Sequence, residues 1–129
     1  MPEPIVIIDT SDIREERLDV VRVAFTQLAD FVREHEPRTA VYEVFLSADS
    51  ARVTVLQVHP DAEAAEEHME VAAAEFARFA ELLTLRTIDI YGAPSETLLD
   101  RLRAKAKVLG AATLAVHERH AGFARLGTR

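Results

Sequence analysis

Ile5-Val6-Ile7-Ile8 is the first apolar run of the chain, and it offers no polar side to water. A short β-branched stretch of this kind predicts a strand covered on both faces. Asp12-Ile13-Arg14-Glu15 follows, with an acceptor and a glutamate three residues on, which predicts a helix start. Behind it Val21, Phe25, Leu28 and Val32 recur at helical spacing, with Val20, Ala24 and Phe31 beside them. The pattern is an amphipathic helix of about six turns. It ends near Glu36-Pro37, since proline pushes the residue before it out of the helical region.

Ala40–Leu46 and Arg52–His59 read as two strands around the polar connection Ser47-Ala48-Asp49-Ser50, a four-residue hairpin loop. Pairing Leu46 with Ala51 places Ala40, Tyr42, Val44, Val53, Val55, Gln57 and His59 on one face. Val41, Glu43, Phe45, Arg52, Thr54 and Leu56 then share the other. Each face carries apolar side chains, whereas a half-exposed antiparallel sheet alternates cleanly between apolar and polar. Helices can cover one face, and a second copy of the sheet is the economical cover for the other. A homodimer is therefore expected.

Pro60-Asp61 opens a second helix, whose stripe runs Ala65, Met69, Ala72, Phe76, Phe79 and Leu83. Thr87–Tyr91 alternates as a strand with Ile88 and Ile90 on the buried side, and Gly92-Ala93-Pro94 breaks it. Strand, helix, strand, strand, helix, strand is the βαββαβ order of an α+β, ferredoxin-like domain with an antiparallel sheet. That domain is assigned to residues 1–92. Residues 93–129 form a helix/strand extension of it: a helix capped by Ser95, with Leu98, Leu99, Leu102 and Ala106 on one side and Gly110 closing it. Thr113–His117 reads as a fifth strand and Gly122–Leu126 as a last apolar piece. The extension is expected to pack across the partner subunit.

Charge sharpens this picture. The net charge is −7, yet residues 1–100 hold 21 acids against 8 Lys/Arg, and residues 101–129 hold 1 against 7. An acidic body repels nucleic acid, and the basic segment reads as a solvated helix face. No apolar run approaches the ~18–20 residues that cross a bilayer, and the start Met1-Pro2-Glu3-Pro4 lacks the look of a signal peptide. The chain has no cysteine, which removes disulfides and thiol chemistry. A cytoplasmic location is expected.

Two segments, Glu36–Val44 and Val55–His68, together resemble the antibiotic biosynthesis monooxygenase family, the dimeric α/β-barrel proteins. The family pattern is roughly Glu-x-Gly-x-x-x-Tyr on one strand. It continues with Glu-x-Trp at the end of the next strand, then Asp/Ser-x-x-Ala and a helical histidine. Here Glu36, Tyr42, Asp61 and His68 match, whereas Arg38 replaces glycine, Gln57 replaces glutamate and His59 replaces tryptophan. The resemblance covers residues 4–92. It implies a cofactor-independent oxygenase acting on an aromatic or quinone-like molecule in a pocket between helices and sheet. The phenol-oxidising and haem-degrading branches use sets that include Asn and Trp, and this chain contains neither.

The candidate residues follow. His68 flanks the apolar seam of the second helix and has the right pKa range to accept a phenolic proton; its other reading is a core-edge histidine bonded to backbone. Tyr42 shares a strand face with Gln57 and His59. Together they suit a mostly apolar pocket with a few convergent polar groups, or else a core tyrosine beside a wet strand end. His68 and Tyr42 are the candidate catalytic residues, Gln57 and His59 the candidate substrate-binding ones. No cofactor is expected. Neither the His59/His68 pair nor His117-Glu118-Arg119-His120 has zinc-ligand spacing, so no metal is expected either. The competing function is a dimeric binding or interaction protein without turnover.

Overall fold

A computed structural model describes residues 3–125 of the chain. Five strands form one sheet: β1 (Ile5–Ile13), β2 (Val41–Leu46), β3 (Arg52–His59), β4 (Leu83–Tyr91) and β5 (Thr113–His117). The helices are α1 (Leu18–His35), α2 (Ala62–Val71), the single turn α3 (Ala73–Phe76) with a 3-10 segment at Ala77–Glu81, and α4 (Glu96–Leu109). The strand order is β2-β3-β1-β4-β5, antiparallel from β2 to β4. The chain is α+β with the ferredoxin-like order, as the periodicity predicts. β5 joins parallel to β4, so the whole sheet is mixed.

β1 runs on where a helix start is expected. Residues 9–13 stay in the sheet, paired with β3 on one side and β4 on the other, and α1 begins only at Leu18. Asp12 receives Arg52 at 3.2 Å and Arg86 at 2.5 Å instead of capping a helix. Pairing on two sides outweighs a local capping signal. The hairpin register also differs from expectation: Leu46 pairs with Val53, not Ala51. The shift is by two residues, the period of a strand, so each side chain keeps its expected face.

β4 begins four residues earlier than its alternation suggests. A bulge opposite Thr10/Ser11 inserts Arg86, so that Leu83 and Leu85 face inward together with Ile88 and Ile90 although the alternation slips by one. The second-helix stripe is buried as expected at Ala65, Met69, Ala72, Phe76 and Phe79, but the chain carries it through three short elements; Leu83 is already strand. Tilted packing of the Phe25 ring on that of Phe79, centroids 4.6 Å apart, joins α1 to this segment.

The extension folds back on its own chain. Ser95 caps α4 by accepting from the Leu98 N–H, and Leu98, Leu102, Ala106 and Leu109 are buried against α2, β4 and the 3-10 segment. The apolar stripe of α4 is thus spent within its own chain. Of the proposed last apolar piece, Phe123 is 80% exposed, and Leu126 lies outside the described residues. Helices thus cover one sheet face. The other is open, with Val6, Ile8, Leu56 and Val58 partly exposed and Phe45 52% exposed. Among the described residues no helix is long and apolar enough to cross a membrane.

Candidate functional site

Along each of β1 and β3 the first inward positions are apolar and the later ones polar, and antiparallel pairing sets the polar half of one against the apolar half of the other. β1 presents Ile5, Ile7, Asp9 and Ser11, and β3 presents Val53, Val55, Gln57 and His59, all buried. Six polar residues are buried under the helices: Asp9, Ser11, Glu36, Gln57, His59 and His68. Buried polar groups are costly unless paired, so their partners are the informative quantity.

His68 comes from the inner side of α2, whose start is set by the Asp61 side chain accepting from the Ala64 N–H at 2.8 Å. Glu36 is the residue that ends α1. The two meet with Nδ1 of His68 donating to Oε1 of Glu36 at 2.5 Å, both residues almost wholly buried. Thr39 gives its hydroxyl proton to the same oxygen at 3.0 Å, nearer than its 3.5 Å contact with Nδ1 of His59. His59 in turn donates from Nε2 to Oε1 of Gln57 at 3.0 Å. The rings of His59 and His68 lie 5.3 Å apart, and Tyr42 and Phe76 pack against His68 at 5.8 and 6.1 Å.

The electrostatics follow from this burial. Desolvation, and second to it repulsion from the His68 ring whenever that ring is protonated, pushes His59 down to about 3, so it is neutral at any ordinary pH. Burial raises the Tyr42 phenol well above its usual value, and the carboxylates of Asp9 and Glu36 add to the rise. Tyr42 is therefore a neutral O–H donor. Two polar atoms in the cluster are buried with no partner among the described residues: Oε2 of Glu36 and Nε2 of His68.

All four residues singled out from the sequence come together, but of the four only Tyr42 borders open space. Gln57, His59 and His68 are closed in, with relative exposures of 0–1%. One space beside the cluster is a cleft of about 390 Å³ bordered by Glu36, Thr39 and Tyr42; an inner void lies on the far side of Tyr42 and Phe76, and its polar lining is Asp9, Ser11, Tyr42 and Lys105 in an otherwise apolar wall. It is small, about 20 Å³. Lys105 reaches in from α4 to Oδ2 of Asp9 at 3.1 Å and lies 4.7 Å from the Phe76 ring centre.

Sequence reasoning missed Asp9, Ser11 and Lys105 as site residues and gave Glu36 no role beyond the motif. The signal for Asp9 and Ser11 was present: polar residues two and four places beyond Ile7 keep its face on a central strand. Lys105 had none, because only tertiary packing carries α4 over β1. Among the described residues no group of three His, Asp or Glu side chains is placed to hold a metal ion. His117 instead pairs with Asp89 at 2.9 Å and stacks on Tyr91.

An antiparallel ferredoxin-like core with a buried histidine–carboxylate pair on its helical side defines the class of protein. No family model matches the sequence, and no curated protein matches it. Solved structures do. MupZ from Pseudomonas fluorescens superimposes with a TM-score of 0.75 at 18% identity, over 97% of this chain and 91% of that one. A candidate antibiotic biosynthesis monooxygenase from Caulobacter crescentus gives 0.63 at 18% identity, over 73% and 92%. A protein from Shewanella oneidensis gives 0.62 at 23% identity, over 70% and 91%. The chain has the fold of the antibiotic biosynthesis monooxygenases. Coverage separates the three: the match to MupZ takes in nearly the whole chain, whereas about 30% of it lies outside the other two matches.

Proposed function

We propose that this protein is an acid–base catalyst of the monooxygenase type, acting on a small phenolic or quinone-like molecule with O2 and no cofactor. The observation that carries the reading is the unpartnered Nε2 of His68. With Nδ1–H held by Glu36, Nε2 bears the lone pair of a neutral imidazole, and nothing among the described residues uses it. That is the arrangement of an oriented general base. His68 takes the phenolic proton at Nε2, and the electron-rich phenolate reduces O2. A phenol C–H and O–H plus O2 become a quinone and water, so the step balances without an outside reductant. Tyr42, kept neutral by its surroundings, donates a hydrogen bond to substrate oxygen. Gln57 and His59 form the polar wall behind the base. Tyr42 and Phe76 stand between His68 and the void, so one ring must swing for substrate to reach Nε2.

Oxygen uptake with a panel of hydroquinones and naphthols tests this. Wild type should consume O2 above the spontaneous rate, and His68→Ala should lose about 100-fold or more, the usual contribution of a positioned base. No uptake by wild type, or equal uptake by the variant, overturns it.

The closed packing around His68 favours a second reading, in which the same fold binds a hydrophobic ligand without turnover. Binding of naphthols with no oxygen consumption is its signature. Either reading places the protein in a homodimer. The support is the open sheet face, where Val6, Ile8, Leu56 and Val58 lie bare of any helix.

A further inference from the structure

α4 and the segment α2–α3 diverge to leave a surface groove of about 470 Å³, within the size range of small-molecule sites. It is open because alanines face each other across it: Ala73 and Ala77 on one bank, Ala104 on the other. Its apolar walls are Met69, Phe76 and Val108. Phe76 and Lys105 line both this groove and the inner void, so the two spaces share a wall.

That wall carries a buried ion pair. The side chains of Lys105 and Asp9 are 9% and 6% exposed. Desolvating both charges offsets most of their attraction, and apolar residues of similar volume fold as well or better. Stability therefore does not account for the pair. Its surroundings suggest a different use. Ser11 also lines the void, and Lys105 binds Asp9 through Oδ2. One donor–acceptor hydroxyl, one carboxylate oxygen and the spare N–H groups of Lys105 converge on a space of about 20 Å³. A space of that size holds about one water. It also fits one hydroxyl group and nothing larger.

We infer that the groove and the void are two halves of one ligand site: the void takes a hydroxyl of the ligand between Asp9, Ser11 and Lys105, and the groove takes its flat apolar body. The ligand class is a neutral hydroxylated aromatic. Neutrality follows from the charges, since Lys105 is already balanced by Asp9, and Arg101 on the groove rim by Glu70 at 3.4 Å. The extension beyond the family core thus supplies the recognition residue, and Phe76, which touches groove, void and His68, is the ring that opens the path inward. The choice of a phenol-like ligand rests on the proposed function. The binding site itself does not depend on turnover.

The test uses the full chain and three probes: 2-naphthol, naphthalene and 2-naphthoate, with affinity read by calorimetry. 2-Naphthol should bind at least tenfold tighter than either of the others. Lys105→Met should abolish that preference. Ala104→Trp, at an exposed position where folding tolerates the change, should block the groove and weaken 2-naphthol at least tenfold. The titrations are run without O2, so that binding is read apart from turnover and this site is separated from the catalytic reading. Equal affinity for the three probes, or undiminished 2-naphthol binding by Ala104→Trp with its fold intact by circular dichroism, overturns the inference. So does tighter binding of 2-naphthoate.

Discussion

Glu36 and His68 are worth more as a pair than either is alone. Glu36→Gln keeps the shape of the side chain but removes the charge that holds the proton on Nδ1. The imidazole then has less reason to keep Nε2 as the bare nitrogen. Imidazole 15N shifts should move toward the other tautomer, and any His68-dependent rate should fall by about tenfold or more. His59 gives a second prediction at this scale. Its folded pKa of about 3 lies below the ordinary 6.5, so the unfolded chain takes up the proton first as pH falls. The contribution of neutral His59 is complete above pH 6.5, erodes below it, and is exhausted near pH 3. The groups facing it are His68, which lowers the value when its ring is protonated, Asp61, which raises it, and the dipoles of Gln57 and Thr39. Urea midpoints should drop across that window by an amount worth on the order of a few kcal/mol, and His59→Gln should flatten the drop. A variant as acid-sensitive as wild type refutes the assignment.

Elements join through their ends, and α4 shows how. Ser95 accepts from the Leu98 N–H and donates to Oε2 of Glu66 on α2, tying the start of the helix to its neighbour. At the other end Gly110 sits at φ +142°, and a Cβ there would lie 2.9 Å from the Leu85 carbonyl oxygen. Gly110→Ala meets a strained φ and a backbone clash together, so it should cost about 2 kcal/mol or more, measured by urea unfolding. The helices and their apolar stripes were legible because a period of 3.6 survives in the sequence. Strand ends were not. Asp12–Glu15 carries a helix-start pattern, and only pairing with neighbouring strands keeps Asp12 and Ile13 in β1; the bulge at Arg86 hides where β4 begins.

At the scale of the molecule the open sheet face governs. One end of it is polar, with Asp12 bound by Arg52 and Arg86; farther along, Val6, Ile8, Leu56 and Val58 form its apolar middle, flanked by Glu43 on β2 and Asp89 on β4. Leu56→Asp changes no core contact under the helices but puts a charge in the middle of that face. Light scattering should give a dimer for wild type and a folded single-chain mass for the variant; a wild-type monomer in dilute buffer refutes the pairing. The candidate site is likewise a property of the whole. His68, Tyr42, Gln57 and His59 were found from local motif and strand parity, whereas the Lys105–Asp9 pair joins positions 96 residues apart and left no local trace.

Periodicity along the chain decided which side chains face inward, and with that the helices, the strand faces and the ferredoxin-like order, because burial imposes a repeat that local sequence must obey. Register, strand ends and the company a buried polar group keeps are decided by pairing between distant segments. For that reason the same residues that read as an open pocket in one dimension close into a hydrogen-bonded cluster in three, with open space left beside Tyr42 and none around His68 itself.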